Sequence, residues 1–260
     1  MSLITFTTWN IVTASFVIAA VAIYAVARSL RAAGWEPARA ARGVALVATL
    51  LAAWLVAAFL LTWNGAWTAS ADRLPTIEFG IFLPIIAGVW LYRRSSFLRE
   101  IVDAVPQSWL IGIQTYRALG FNFLALYSAS LIPGVFALPA GTGDIIVGLS
   151  ALAIAWTYGA AATPPNGLVR LWSAFGIADL VIAVGTGFLS SPSPFQLVAF
   201  DLPNPLIAEF PLALVPVFAV PLSILLHLAS LAKVKSDVRA AMRFLRHRLR
   251  AVMGTWGANI

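Results

Sequence analysis

Runs of 18 or more predominantly apolar residues recur from one end of this chain to the other. Each is long enough to cross a hydrocarbon core about 30 Å thick. In such a core the backbone must satisfy its own hydrogen bonds, which leaves helices or a closed barrel. Barrel strands would show segments of about ten residues with alternating polarity. The runs here are unbroken, so the expected fold class is an all-α membrane protein. Composition agrees: 61% of the 260 residues are apolar and 10% charged, against roughly 45–50% and 25% in soluble domains.

Seven spans are expected, at 9–27, 43–63, 78–92, 108–131, 136–160, 168–189 and 208–232. They form one transmembrane domain over 1–232, followed by a basic tail over 233–260. The first run has no basic residues before it, and Arg28 and Arg31 follow it. It therefore reads as a retained span rather than a signal peptide. Lys and Arg in short loops set the orientation. With the N-terminus outside, fifteen of the 17 basic residues fall on the cytoplasmic side. Only Arg73 falls outside, and Arg117 lies within a span. Trp9, Trp63, Trp67, Trp90, Trp109, Trp156 and Trp172 fall near span ends, where aromatic belts form.

The net charge of +7 flanks apolar spans, so anionic lipid is the expected partner and nucleic acid is not. In the tail, Val234, Val238, Met242, Leu245, Leu249, Val252 and Trp256 recur at three- and four-residue steps. Arg239, Arg243, Arg246 and Arg250 lie on the other face. This pattern suits a helix resting on anionic headgroups; a solvated extension of the last span is the alternative. A weaker copy of it, Phe97, Leu98, Ile101, Val102 and Val105, precedes Pro106. The outer loop 190–207 holds Pro192, Pro194, Pro203 and Pro205, which exclude regular helix and suggest a lid or plug.

Charges inside a span cost about 2.5–3.5 kcal/mol on insertion scales, so they usually face the bundle and find a partner. Arg117 lies nine residues into the fourth span from the cytoplasmic side and Asp179 eleven into the sixth. At 1.5 Å per residue these are depths of roughly 13 and 16 Å, so the two are expected to pair near the midplane. Gln114 and Ser128 share the helical face of Arg117 and extend a polar stripe toward the bundle. The pair either fixes helix packing or lines a ligand or ion pathway.

Asp144 follows Pro139-Ala140-Gly141-Thr142-Gly143, which reads as a helix break in the outer half of the membrane. It is then either a first-turn carboxylate stabilised by free N–H groups or the outer mouth of a site on a broken helix. His227, near the inner end of the last span, is either a packing residue or a proton relay. Glu78 and Glu209 sit at outer span ends, where a solvated carboxylate needs no further explanation. The absence of cysteine and the two distant histidines leave no recognisable metal set, and no cofactor is implied.

A retinal pigment is excluded, because Lys233 and Lys235 lie at or beyond the end of the seventh span. Gly141-Thr142-Gly143-Asp144 matches the Gly-x-Gly-Asp motif of intramembrane aspartyl proteases. The fourth span, however, carries no acid to supply the second carboxylate. Gln114-Thr115-Tyr116-Arg117-Ala118-Leu119-Gly120, Phe136-Ala137-Leu138-Pro139-Ala140-Gly141, Gly143-Asp144, and Phe210-Pro211-Leu212 through His227-Leu228 resemble an uncharacterised bacterial multi-pass membrane family. The resemblance covers about the second half of the chain and implies a bacterial inner membrane without giving an activity.

The leading expectation is a small transporter or ligand-binding membrane protein. Its site comprises Arg117, Asp179, Asp144, Gln114 and His227, between the fourth and seventh spans. The alternative is a non-enzymatic accessory subunit of a larger complex, binding partner helices, lipid, quinone or pigment through the first three spans. An intramembrane aspartyl protease is a third reading. No complete catalytic constellation is visible.

Overall fold

The computed structural model describes residues 1–161 and 165–235, and these contain helices and loops but no strand. Five helices are long and apolar enough to cross a membrane: α1 (Leu3–Ala32), α2 (Pro37–Trp63), α7 (Gly134–Ala160), α8 (Asn166–Ser190) and α9 (Val215–Lys235). A sixth crossing is counted if α3 (Ile77–Arg94) and α4 (Ser96–Ala104), bent by 98° at Ser95, are taken as one span. The fold is that of a helical membrane protein. Its large apolar side chains turn outward as well as inward. Ile86 is 62% exposed and Trp156 80%, a surface suited to lipid rather than water.

Local chemistry sets the helix ends. The Ser2 side chain accepts the Thr5 N–H at the start of α1. At α2, Pro37 occupies the first turn, where its missing N–H is harmless, and Glu36 accepts the Ala38 and Arg39 N–H groups. Those two backbone donors hold the Glu36 carboxyl below its ordinary range. Ser95 caps α4 through Leu98 N–H, and Arg99 donates to the Tyr92 and Arg93 carbonyls left free at the end of α3. The bend is thus closed by side chains from the segment that follows it. Ile101 of α4 packs with Leu30 and Ala40, which seats the α4 apolar face against α1 and α2.

Residues 107–128 form one helical run in three pieces. The pieces are α5 (Gln107–Gly112), a 3₁₀ segment (Ile113–Gly120) and α6 (Phe121–Ser128). The residues at both junctions keep right-handed helical dihedrals. In a 3₁₀ helix residues three apart eclipse one another. The buried residues of the segment are accordingly Gln114, Arg117 and Gly120. Ser128, expected on that face, is exposed. The tighter winding adds about 20° per residue over an α-helix, or roughly 80° between Arg117 and the start of α6 at Phe121.

Two further expectations are corrected. No break precedes Asp144, because α7 runs unbroken from Gly134 with Pro139 inside it. Pro139 is the sixth residue of α7 and forfeits the one bond to the Val135 carbonyl, and the helix continues through it. Trp67 and Trp172 are buried rather than interfacial, and the Trp172 Nε1–H donates to Ser150 Oγ at 2.9 Å. The tail residues Arg239, Arg243, Arg246 and Arg250 lie outside the described residues.

The 3₁₀ segment lies against α7 almost backbone to backbone. A Cβ at Gly148 would strike the main chain of Arg117 and Ala118, and close approach of this kind is the packing that small residues permit in membranes. We expect Gly148→Ala to destabilise the detergent-solubilised protein by about 1–3 kcal/mol. Gly159→Ala on the same helix has open space around it and should have no such effect. Equal shifts in thermal unfolding for the two variants would refute the close contact.

Candidate functional site

The helical run 107–128 and α9 are joined by a polar ladder. Gln107 reaches Ser230 and Gln114 reaches Ser223, so partners are spaced seven residues apart on both antiparallel strands of the ladder. Gln114 Nε2 donates to the Ser223 carbonyl at 3.0 Å, and Ser223 Oγ donates back to Gln114 Oε1 at 2.9 Å. Such reciprocal bonds between amide and hydroxyl groups join helices where hydrocarbon offers no alternative partner. The first turn of α9, Val215–Ala219, is a π-helix. Its carbonyls find side-chain donors: Trp54 Nε1–H to Val217 at 3.1 Å and Tyr116 O–H to Ala219 at 2.9 Å.

Held by this ladder, the Arg117 guanidinium meets four acceptors. Nε donates to Asp144 Oδ1 at 2.7 Å, and Nη2 donates to Asp179 Oδ2. Nη1 donates to the Gly176 carbonyl at 3.2 Å and lies 3.3 Å from His227 Nε2. A guanidinium has no acceptor, so Nε2 carries the lone pair and the imidazole is neutral, with its proton on Nδ1. His227 is fully buried against Trp172, ring centroids 4.8 Å apart, and its Nδ1 has no partner.

Glycine makes the convergence possible. A Cβ at Gly143 would occupy the Asp179 carboxylate, and one at Gly176 would strike His227. Four helical elements therefore deliver one guanidinium, two carboxylates and one imidazole to a single point. The side chains of Arg117, Asp144 and Asp179 are 2%, 14% and 7% exposed. Among the described residues no cluster of three or more His, Asp or Glu could ligate a metal.

Two small cavities meet at Asp144. The first, about 60 Å³, is bounded by Trp67, Phe136, Glu78 and the loop residues Ser191 and Pro192. Glu78, read from the sequence as a solvated end residue, has a buried Oε2 without a hydrogen-bond partner. The second, also about 60 Å³, lies between α1, the 3₁₀ segment and α9, with Tyr116, Asn122 and Arg117 on its wall. Asn122 is 2% exposed, and its Oδ1 has no partner. A third and larger cleft of about 730 Å³ opens between α1, α2, α3 and α9 and is almost wholly apolar.

The site thus joins Arg117, Asp179, Asp144 and His227 directly, with Gln114 one turn away on the ladder. The sequence reading sets Asp144 at the mouth of this site rather than in direct contact with Arg117, and it passes over Tyr116, Ser223, Gly176 and Asn122. The paired seven-residue spacing of Gln107/Gln114 and Ser223/Ser230 was the available signal for the ladder. Residues 74–234 match the model of a family described as a domain of unknown function (DUF8737). That stretch holds every residue of the cluster, while α1 and α2 fall outside it. No curated protein and no solved structure matches the chain.

Removing one partner from a buried pair leaves an uncompensated charge and costs about 3–5 kcal/mol. Arg117→Ala should therefore lower stability by that order. Asp179→Asn, which still offers Arg117 an amide oxygen, should lose less. Chemical unfolding in detergent measures both, and an Arg117→Ala protein as stable as wild type would contradict the network.

Proposed function

We propose, for a chain that belongs to the DUF8737 family, that it is a small transporter or ligand-binding protein of the bacterial inner membrane. Its ligand or ion is handled at the Arg117–Asp144–Asp179–His227 cluster. The observation that carries this reading is the second carboxylate. An ion pair that only locked two helices would be complete with one acid. Here Asp144 and Asp179 from different helices share one guanidinium, and Asp144 also opens onto two cavities. Ionisable groups at such depth are characteristic of substrate and proton pathways.

The topology proposed with it has seven crossings, the N-terminus outside and the C-terminus inside. The run 107–128 serves as the fourth crossing and α4 lies along the inner interface. Fifteen of the 17 basic residues then lie on the cytoplasmic side, in accord with the positive-inside rule. In this topology the cavity bounded by Glu78 and the Ser191–Pro192 loop is the outer one, and the loop closes it.

An aspartyl protease fits the cluster poorly. Its two carboxylates must share a proton and activate water between them, and here a guanidinium bonds to both. The accessory-subunit reading draws on one separate observation. The 730 Å³ apolar cleft lies on the α1–α3 side and has room for a lipid chain or the tail of a quinone.

Proteoliposomes with an entrapped pH-sensitive dye, challenged with a panel of small organic acids, amines and inorganic ions, test the leading reading. At least one solute should move with a dye response, and Arg117→Lys should reduce that flux at least tenfold. An ammonium cannot span four acceptors set around a planar fork. A folded Arg117→Lys protein with full flux would remove this cluster from the function.

A further inference from the structure

The cluster carries one positive charge, on Arg117, and two negative ones, on Asp144 and Asp179; His227 is neutral. The groups facing it are few. Tyr116 and Gln114 come from the 3₁₀ segment, Ser15 from α1 and Ser223 from α9. Glu78 of α3 lies across the outer cavity. None supplies a second cation. In a low-dielectric interior an unbalanced carboxylate is strongly disfavoured, so the site has a place for one further positive charge.

The donor set says which charge it is. Once Arg117 has taken one oxygen from each acid, Asp144 Oδ2 and Asp179 Oδ1 are the carboxylate oxygens not engaged by it. Hard cations such as Ca²⁺ take six or more oxygen ligands, and the walls of the two cavities that Asp144 borders are largely apolar. A proton needs a single lone pair. Asp144 is the better placed acceptor. It borders both cavities, whereas Asp179 is enclosed against the Gly143 backbone.

Access is visible on the outer side. A cavity of about 60 Å³ has room for roughly four waters, at 10–15 Å³ of such volume each. Glu78 Oε2, buried and unpartnered, stands on the wall of the same cavity. On the inner side, Asn122 Oδ1 is a buried acceptor without a partner, in the wall of the cavity that Asp144 also borders. A proton relay by water needs such anchoring groups.

We propose that Asp144 holds one exchangeable proton per chain and receives it from the outer face through the cavity that Glu78 lines. The step is simple: a hydronium proton from the bulk, relayed along the cavity waters, is taken by a carboxylate oxygen lone pair; neutral water is left behind and the cluster becomes electrically neutral. This deepens the transporter reading by naming the proton as the ion handled at the same cluster.

Infrared spectroscopy of the full chain in lipid nanodiscs tests it without any transported solute. At pH 7 the wild type should show the C=O band of a protonated carboxylic acid, shifted by D₂O. The band should persist in Glu78→Gln and disappear in Asp144→Asn. Its deuterium exchange should slow severalfold in Glu78→Gln. Absence of the band between pH 5 and 9, its loss in Glu78→Gln, or its survival in a folded Asp144→Asn protein would each overturn the assignment. An unchanged exchange rate in Glu78→Gln would overturn the access route. The Glu78→Gln result stands even if Asp144→Asn does not fold. Because no solute is involved, failure of the flux assay and failure of this proton site are separately visible.

Discussion

A guanidinium cannot shed its proton, so wherever Arg117 is buried the rest of the molecule must be arranged around it. Five N–H groups fixed in a plane demand acceptors from several directions at once. The acceptors come from α7, α8 and α9, and each of those helices carries a concession to the demand. Gly143 and Gly148 let α7 approach, Gly176 gives α8 an open carbonyl and space for His227, and α9 begins with a π turn. Buried residues without such demands, such as Val147 and Ala151, sit in regular helix.

Much of this could be read from spacing. Counting residues from the ends of apolar runs is enough to pair Arg117 with Asp179, because the few ångströms that the 3₁₀ winding adds are within the reach of a long arginine side chain. Asp144 is expected only at the mouth of the site, because Pro139 and two glycines look locally like a broken helix. Those glycines are there for tertiary reasons, to admit the 3₁₀ segment and the Asp179 carboxylate. No local rule distinguishes a glycine that bends a helix from one that another backbone leans on. Ser128 was lost to the same kind of blindness, since periodicity assumes one winding along the whole helix. Trp172 shows the limit of the belt rule, for its indole has a hydrogen-bond partner in Ser150 and needs no interface.

The two halves of the molecule use different means of cohesion. Contacts among α1, α2, α3 and α4 are mostly apolar, with Leu30, Ala40, Ile101 and their neighbours at the centre. They leave a broad cleft. From residue 107 onward the apolar clusters continue, and hydrogen bonds from side chains across helices are added to them. Lipid tails compete for apolar surfaces nearly as well as another helix does, but they cannot offer a hydrogen bond. The later helices are therefore held to one register, while the earlier ones are held by shape. The boundary of the family match, which begins at residue 74, leaves α1 and α2 on the shape-held side.

The eight-residue 3₁₀ stretch Ile113–Gly120 also bears on movement. Such runs rarely exceed three or four residues, because their hydrogen bonds are poorer than those of an α-helix. Rewinding this one as α would shorten it by about 4 Å and turn one end against the other by about 160°. That is the motion of a screw, and Arg117 sits near the middle of its thread. Rotation there would be inseparable from axial travel, so the guanidinium could not leave its carboxylates without drawing α6 toward α5.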